Sequence, residues 1–579
     1  MSSRYRSLTS NSVSERLFTL NIQPQTGPGT STNNQANIAF IGTSGQDFTV
    51  FWEAGVSNTY THTGSVLRVT HTYTNTDPKS ISVQGAMGKL ADPSVAGSIP
   101  PDYASITSWG NVTLIADQSG LGTYANLIQA GQPDGLSPPT SSYTDWPLLV
   151  ANSNCTQMFS GQSAGTFAPR LDTDPLRSAG FGWPSYITGN IINMSSMFNS
   201  AFGKSQTGIG SVSKRTASLN GWDTGNVTNM NSCFAGSGYI NKLSNWNTIN
   251  VTDMGSMFAN IRPDEIVATD ALFVTSSTQQ IGDVGIDQWN VSNVANMSLM
   301  FENTSGNLGN LSQWNTQSVT NLSGTFSKSN VEPFVAWNTG NVTTLSDTFF
   351  GAEGNIDCSG WNTINVTNMS KTFGTNFGYV FPLGAFVNKS KVKRDLSGWN
   401  VSNVTNMANI MNGYNGDPQI DSWDVSSVTD MSYAFGAAYL RTSDPGGNPI
   451  NADYNSSITM DPSGWVTNSL TTAQNTFSGS TLNSNLGAWN LSSITTMANM
   501  LDDSAMSTEN YSKTLIGWAN FVSNAGGSPS SITLGAANVT YNNTTYTGSP
   551  YNDAVAARAY LVSSGGSNPG WTITDGGQA

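Results

Sequence analysis

WDTGNVTNM (residues 222–230), WNTINVTNM (361–369) and WNVSNVTNM (399–407) are three copies of one stretch that recurs along the chain. Most neighbouring copies lie 23–25 residues apart, and three intervals of 38–43 residues carry extra sequence. A fixed period of this length predicts a solenoid, in which each unit buries its apolar face against its neighbours. Full copies start at Trp222, Trp246, Trp289, Trp314, Trp337, Trp361, Trp399, Trp423, Trp465 and Trp489, and weaker ones at Trp109, Trp146 and Trp183.

Each unit carries two apolar patterns. An aliphatic residue lies three positions before most of the tryptophans, as Leu243 does before Trp246, and we expect the segment around it (KLSNWN, 242–247) to form a short strand. After a polar turn, the apolar residues of 227–234 have the spacing of one face of a short helix. The sequence therefore predicts an α/β solenoid of about a dozen units with a parallel sheet, in which the Met and Phe stripe is core and not a ligand site.

The polar and cysteine positions of the repeat also have structural interpretations. Asn or Asp follows almost every repeat tryptophan, and we expect its side chain to bond the backbone of the next turn. The NVT and NVS triplets match a glycosylation acceptor, but the whole triplet belongs to the repeat period, which favours a structural role. Cys233 takes the place of Met257 and Met300, so we interpret it as a small buried apolar residue. Cys155, Cys233 and Cys358 are spaced too widely to predict a disulfide or a zinc site.

The unit Trp-Asn-Thr/Val-x-Asn-Val-Thr-Asn-Met-x-x-Met-Phe resembles the repeat of the BspA-like surface proteins, an atypical leucine-rich-repeat family. The resemblance implies a leucine-rich-repeat solenoid with loop insertions over 99–505. It also implies a role in surface recognition, because the family occurs on bacterial surfaces, in secreted adhesins and in some virus-encoded proteins.

Residues 506–579 resemble the closing module that such proteins carry. We expect a helix around Ala554 to Leu561 and a last strand within 570–577, which would cover the end of the solenoid.

The front of the chain has a different pattern. Residues 48–85 alternate like β-strands, and residues 17–98 resemble a PKD-like or immunoglobulin-like β-sandwich, with Trp52-Glu53-Ala54-Gly55 in place of that family's usual Trp-Gly-Asp-Gly turn. Residues 1–16 are polar and are predicted to be a flexible arm or docking segment.

Composition excludes several classes of partner. The chain has 36 Asp and Glu against 22 Lys and Arg, and its net charge of −14 argues against nucleic acid or an anionic membrane surface. No stretch approaches the roughly 18 apolar residues of a membrane span, so no membrane insertion is expected.

The first residues, MSSRYRSLTSNSVSERLFTLNIQP, lack the apolar region of a secretory signal. Either an export signal was removed, or the protein leaves its cell without one, as virion proteins do.

The extra sequence enters the repeats at one phase, between the predicted helix and the next strand. It lies at about 160–181, 199–218, 259–285, 374–395 and 436–461. Insertions at a constant phase project from one side of a solenoid and often form its binding face, and aromatic rings beside Arg or Lys suit sugars or a protein groove. The alternative is that these loops pack on their own repeats and keep their charges in solvent. The candidate ligand-binding residues are Lys204, Lys214, Arg215, Arg262, Phe377, Tyr379, Phe381, Lys389, Lys391, Lys393, Arg394, Tyr439 and Arg441.

Signals for catalysis are poor. The two histidines, His62 and His71, lie in the β-rich front, and no Ser-His-Asp arrangement, P-loop or HExxH motif is present. Acidic pairs such as Asp172/Asp174 and Asp502/Asp503 are more typical of turns and caps than of a glycosidase or a calcium site. We therefore expect no enzyme activity, no cofactor and no metal.

These patterns favour non-enzymatic surface recognition. We expect a phage or virus component (a fibre, spike or decoration) on the virion surface that binds a host cell-surface receptor, either protein or glycan. It would contact other virion proteins through its N-terminal segment and form a homo-oligomer. The alternatives are a bacterial cell-surface adhesin and, in third place, a tailspike-type glycan hydrolase.

Overall fold

The fold is described from a computed structural model. Its described residues form two compact units, Met1–Val251 with Asp283–Gly285, and Thr252–Gly282 with Ile286–Ala579. The structure describes residues 18–22, 35–41, 44–65, 67–74, 79–85, 89–90, 103–108, 113–114, 148–149, 153–156, 188–199, 219–237, 240, 243–261, 285–304, 310–329, 337–352, 357–374, 395–414, 416–437 and 458–579.

The first unit begins with two antiparallel β-sheets. One has the strand order β4-β3-β6-β1-β8 and the other β5-β2-β7. The rings of Phe40 and Phe48, one from each sheet, lie 4.8 Å apart, so the sheets pack through aromatic side chains. The strands predicted within 48–85 are confirmed. The bounds are β1 Phe18–Ile22, β2 Gln35–Ile41, β3 Asp47–Glu53, β4 Val56–Thr61, β5 Leu67–Thr72, β6 Lys79–Gly85, β7 Lys89–Leu90 and β8 Tyr103–Ser108.

The stretch Trp52-Glu53-Ala54-Gly55 ends β3 and turns the chain into β4. Glu53 pairs with Val56, and Gly55 has φ +79°, a conformation that glycine adopts without steric cost. The buried Trp52 donates from Nε1 to Asn58 Oδ1 at 3.1 Å and so ties the two strands together.

Short parallel pairs follow in the first unit. The strands β9 (Thr113–Leu114) and β10 (Leu148–Leu149) pair with each other, as do β11 (Ser153–Asn154) and β12 (Ile191–Asn193). A further parallel bridge joins Asn193 to Asn229, which lies in the first full repeat, the one that starts at Trp222.

In the second unit, a ladder of parallel backbone bridges joins the repeats. Alternate N–H groups donate to the next repeat: those of Lys371 and Phe373 bond the carbonyls of Ala408 and Ile410 at 2.9 and 2.8 Å. Each repeat therefore supplies backbone partners that its neighbour lacks. The bridges run Asp253–Asn296–Asn321–Thr344–Asn368–Asn406–Asp430–Thr472–Thr496.

The segment predicted to be a short helix is a pair of tight turns instead. The N–H groups of Met257 and Ala259 donate to the carbonyls of Met254 and Ser256, three residues back, whereas an α-helix bonds four residues back. Ser256 and Asn260 are left-handed, with φ of 54° and 60°. A residue in that conformation stops a right-handed helix from propagating. The helix prediction was wrong because apolar spacing reports which side chains are buried and not the sign of φ.

The segment before each tryptophan is not the paired strand. In KLSNWN, the N–H of Trp246 donates to the carbonyl of Leu243 at 3.0 Å, which closes a turn. The parallel pairing lies instead at the residue before the first methionine of each repeat, or before the Leu or Ala that replaces that methionine. The strand prediction was wrong because the aliphatic residue is buried for core packing. Three such turns are 3-10 helices, Ile286–Gln288, Leu311–Gln313 and Pro462–Gly464.

The Met and Phe stripe forms the core of the repeats, as predicted. The rings of Phe301, Phe326, Phe349 and Phe373 stack in sequence with centroids 5.7–5.9 Å apart. Each is buried, and burial of a side chain of this size contributes about 1.5–3 kcal/mol.

After the last repeat, the chain forms two helices and two parallel strands. They are α1 (Thr508–Asn524), β13 (Thr533–Ala536), α2 (Ala554–Val562) and β14 (Thr572–Asp575). The helix predicted around Ala554 to Leu561 and the strand predicted within 570–577 are confirmed. A parallel bridge from Met497 to Leu534 continues the pairing of the repeats into this region. Among the described helices, none has the length and apolar character to cross a membrane.

Candidate functional site

The candidate site is the place where insertions leave and rejoin the repeats of the second unit, which we call the insertion edge. Each of the three insertions follows the repeated Phe by one to three residues. Their flanking described residues in the second unit are Ile261 and Ile286, Gly374 and Asp395, and Ala437 and Ile458.

Backbone hydrogen bonds align the points of departure. The N–H of Asn260 donates to the carbonyl of Glu302 and that of Ala437 to Ser478, both at 2.7 Å. Asn260 is left-handed, with φ of 60°. Because each of these N–H groups bonds the next repeat, the insertions start at the same phase of the ladder.

Side chains at the insertion edge also pair between repeats. Lys328 Nζ lies 3.8 Å from Glu302 Oε1, and Asn303 Nδ2 donates to Asn260 Oδ1 at 2.7 Å. Both members of the ion pair are partly exposed, so the pair adds little stability. The Asn303–Asn260 bond lies at the base of the insertion that follows Ile261.

Aspartates fix the points of return. Asp395 Oδ1 accepts from the backbone N–H of Ser397 at 3.0 Å, and the hydroxyl and N–H of Ser397 hold the pKa of Asp395 below its usual range. Partial burial acts to raise the pKa of Asp461, but hydrogen bonds from Ser463 and Ser484 together outweigh it and the pKa is lowered. These carboxylates are therefore turn acceptors in their charged form.

The predicted ligand-binding residues themselves lie outside the described residues. The structure describes residues that flank the insertions in which they lie. These residues are Lys204, Lys214, Arg215, Arg262, Phe377, Tyr379, Phe381, Lys389, Lys391, Lys393, Arg394, Tyr439 and Arg441.

The exposed Asn and Thr side chains of the repeats are engaged with the stack. Asn338 Oδ1 accepts from the N–H of Gly340 at 3.1 Å, which confirms the predicted bond to the turn backbone. Asn365 Nδ2 donates to the carbonyl of Gly340 at 2.6 Å, and Thr367 Oγ1 donates to the carbonyl of Thr343 at 3.3 Å. The NVT triplet at 365–367 thus joins neighbouring repeats.

The histidines lie in aromatic surroundings. His62 is buried and stacks on Phe48 at 4.5 Å. His71 stacks on Trp52 at 5.2 Å, with Nε2 3.4 Å from Glu53 Oε1.

Among the acidic and cysteine candidates that the structure describes, Asp502 bonds the backbone and Cys233 is part of the core. Asp502 Oδ1 accepts from the N–H of Ala537 at 2.9 Å, whereas Asp172 and Asp174 lie outside the described residues. Cys233 is fully buried, as predicted, and burial raises the pKa of its thiol. Within the described ranges, no group of three or more His, Cys, Asp and Glu side chains is placed to hold a metal ion.

Our sequence reasoning missed a second outward position, the first left-handed residue of each repeat. It carries Leu299, Lys371 and Tyr433, all at least partly exposed. Aligning the copies would have found it, because this position varies among the copies while its neighbours repeat. The position holds Ser256, Leu299, Gly324, Asp347, Lys371, Asn409, Tyr433, Asn475 and Asn499 in successive repeats.

Comparison with known proteins gives one family. No curated protein and no solved structure matches the chain. A family model described as "Mycoplasma protein of unknown function, DUF285" matches residues 193–263, 269–379 and 383–514, which together are more than half of the chain. The chain is therefore a repeat protein that belongs to the DUF285 family.

Proposed function

We propose that this repeat protein is a BspA-like leucine-rich-repeat solenoid whose insertions bind a receptor on a host cell surface, without enzyme activity. The setting we propose is the virion surface, where the chain would be a fibre, spike or decoration. The observation that carries the proposal is the insertion edge, where three repeats release their extra sequence at the same phase, just after N–H groups that bond the next repeat, those of Asn260, Phe373 and Ala437.

The repeats and the insertions differ in what their side chains can bind, and this difference supports the proposal. Repeat side chains such as Asn365 and Thr367 donate to the preceding repeat, so much of their hydrogen-bonding capacity serves the scaffold. The insertions carry half of the basic residues of an otherwise acidic chain, together with aromatic residues such as Phe377 and Tyr379. Arg, Lys and aromatic side chains contribute most to recognition, and loops on a rigid scaffold are the usual place for it.

The partners follow from the same proposal. The receptor would be a protein or a glycan, the N-terminal segment 1–16 would contact other virion proteins, and the chain would act as a homo-oligomer. Several copies on one particle would raise avidity without any new contact.

The test is binding of the purified chain to a panel of intact cells and surface glycans, beside a variant with one insertion removed. The chain offers a matched design, because residues 353–356 (EGNI) bridge the same phase of the repeat that ends at Asp357. Replacing 377–394 with EGNI gives this repeat the same Phe-to-Trp spacing as its neighbour and removes Phe377, Tyr379, Lys389 and Arg394. Circular dichroism and thermal unfolding check that the stack is retained.

We expect saturable binding that weakens at least ten-fold in a variant lacking the insertion concerned, tested also for 262–282 and 440–457. Binding that survives every insertion variant contradicts the proposal. Turnover of a bound glycan would instead place the chain among hydrolases. Antibody labelling of particles and of cell envelopes separates a virion component from a bacterial adhesin.

A further inference from the structure

Strand β4 is an exposed edge of the larger sheet in the first unit. It pairs with β3 on one side, and in the part of the chain that the structure describes no strand pairs with its other side. Both of its faces are open to solvent, apart from the half-buried Tyr60. Among the described residues, nothing occupies this edge, so a further strand can add there.

The outward backbone groups of β4 follow from its pairing with β3. The N–H of His62 donates to the carbonyl of Gln46 at 2.8 Å, so the peptide groups of His62, and of every second residue before it, face β3. The groups of Ser57, Thr59 and Thr61 consequently face outward. Each presents a backbone N–H and a C=O at the open edge.

Strand β4 lacks the charged residues and prolines that commonly prevent an edge strand from pairing with another chain. Residues 56–64 (VSNTYTHTG) contain no Lys, Arg, Asp, Glu or Pro, whereas β5, at the edge of the smaller sheet, contains Arg68. Val, Thr and Tyr favour extended backbone. An exposed neutral edge of this composition is a template for strand addition.

We propose that β4 pairs antiparallel with β4 of a second copy, with the two Thr59 residues facing each other across a two-fold axis. In this register Ser57 lies opposite Thr61 of the second copy. The outward N–H and C=O groups of all three residues then bond reciprocally, and the two larger sheets become one continuous sheet. The proposal extends the homo-oligomer described above by giving it a surface, and its tests involve no receptor, so the two proposals fail separately.

A second copy fits this edge better than an unrelated strand. The outward residues carry hydroxyls placed symmetrically about Thr59, so the two-fold pairs like with like, as isologous contacts require. Cross-strand Thr–Thr and Thr–Ser pairs are favourable. The strand is uncharged, so the net charge of −14 does not bring like charges into direct contact.

A cysteine substitution tests the register in the full chain. Cα atoms of a hydrogen-bonded antiparallel pair lie about 5.5 Å apart, which is within disulfide range. We expect Thr59→Cys to form a disulfide-linked dimer under mild oxidation. The matched control is Thr70→Cys on β5, which should stay monomeric on a non-reducing gel. A Thr59→Cys chain that stays monomeric, or cross-links no faster than the control, overturns the register.

Sedimentation velocity over a range of concentrations tests the dimer itself. We expect the wild-type mass to double with concentration, and Thr59→Lys and Thr59→Asp each to weaken dimerisation at least ten-fold because like charges then face each other. An equimolar mixture of the two variants should restore the dimer, and Thr70→Lys should leave it unchanged. A monomer at every concentration, a dimer insensitive to both Thr59 variants, or a mixture that does not restore it overturns the proposal.

Discussion

The indole Nε1 of Trp489 donates a 2.9 Å hydrogen bond to the carbonyl of Pro462, three residues before the tryptophan of the preceding repeat. Trp314 makes the same contact with Ile286 at 3.0 Å. The contact requires a large apolar side chain that also carries a donor, which is why tryptophan recurs.

Removing the indole N–H should destabilise the stack. In Trp489→Phe the buried Pro462 carbonyl loses its donor and part of the ring volume is lost, so we expect the free energy of unfolding to fall by about 2–4 kcal/mol. Denaturant unfolding followed by circular dichroism measures this loss of unfolding free energy.

Thr467→Val is the matched control. It removes the 3.0 Å bond from Thr467 Oγ1 to the carbonyl of Asn490, and another repeat carries valine, Val401, at the same position. We expect a loss of about 1 kcal/mol or less there. Equal effects in both variants would contradict the role given to the indole.

The left-handed position of the repeat predicts a reversal of the usual glycine rule. Lys371 has φ 56° and is exposed, so Lys371→Gly should raise the free energy of unfolding by about 0.5–1 kcal/mol, whereas in a helix it would lower it by about 1 kcal/mol. Lys371→Val should destabilise the chain, because a β-branched residue tolerates this backbone poorly. Denaturant unfolding measures the change in the free energy of unfolding for both variants. If Lys371→Gly lowered this free energy, the result would contradict the left-handed backbone and favour the helix prediction.

Much of the repeat could be read from the sequence because its signals are local and periodic. The spacing of the tryptophans gave the unit, and the Asn at positions such as Asn338 gave the backbone contact of the turn. Lys371 by itself could not reveal its left-handed backbone, since Lys does not favour it, and neither do the Leu and Tyr of other repeats. The Gly and Asn at the same place in other copies, such as Gly324 and Asn409, do favour it, and our prediction did not use that signal. The outward set that includes Leu299 was missed for the same reason. The insertion residues remain predictions of sequence alone.

The C-terminal region predicts a loss of stability at alkaline pH. Tyr511 is fully buried and its hydroxyl donates to Asp575 Oδ2 at 3.1 Å. Burial, with the charge of Asp575, raises the pKa of Tyr511 well above its usual value. An acid whose folded-state pKa is raised contributes stability that is fully present below its unfolded pKa of about 10 and is lost as pH rises beyond it. We expect the stability of the wild type to fall more steeply above about pH 10 than that of Tyr511→Phe, since the variant lacks this titration. Parallel slopes would contradict the assignment, and the other tyrosines, present in both proteins, serve as the internal control.

The cysteines predict slow chemistry in the folded state. Cys233 and Cys358 are fully buried, and burial raises the pKa of each thiol, so thiolate is scarce at neutral pH. We expect a thiol-specific chromogenic reagent to label these two residues only at the rate at which the chain unfolds, and to label them at once in denaturant. Peptide mapping identifies the labelled sites. Rapid labelling of the native chain at either residue would show that the repeat core is more open than described.

The most direct test of the account is a comparison of receptor affinity between an insertion variant and a repeat-face variant of equal stability. The repeat-face variant carries Thr343→Ala, Thr367→Ala and Thr405→Ala, which change exposed side chains of three neighbouring repeats and leave every insertion intact. We expect that replacing 377–394 with EGNI, or removing whichever insertion binds, weakens binding at least ten-fold, while the repeat-face variant binds as the wild type does. Affinity lost in the repeat-face variant and kept in all insertion variants would contradict it and would move recognition from the insertion edge to the repeats.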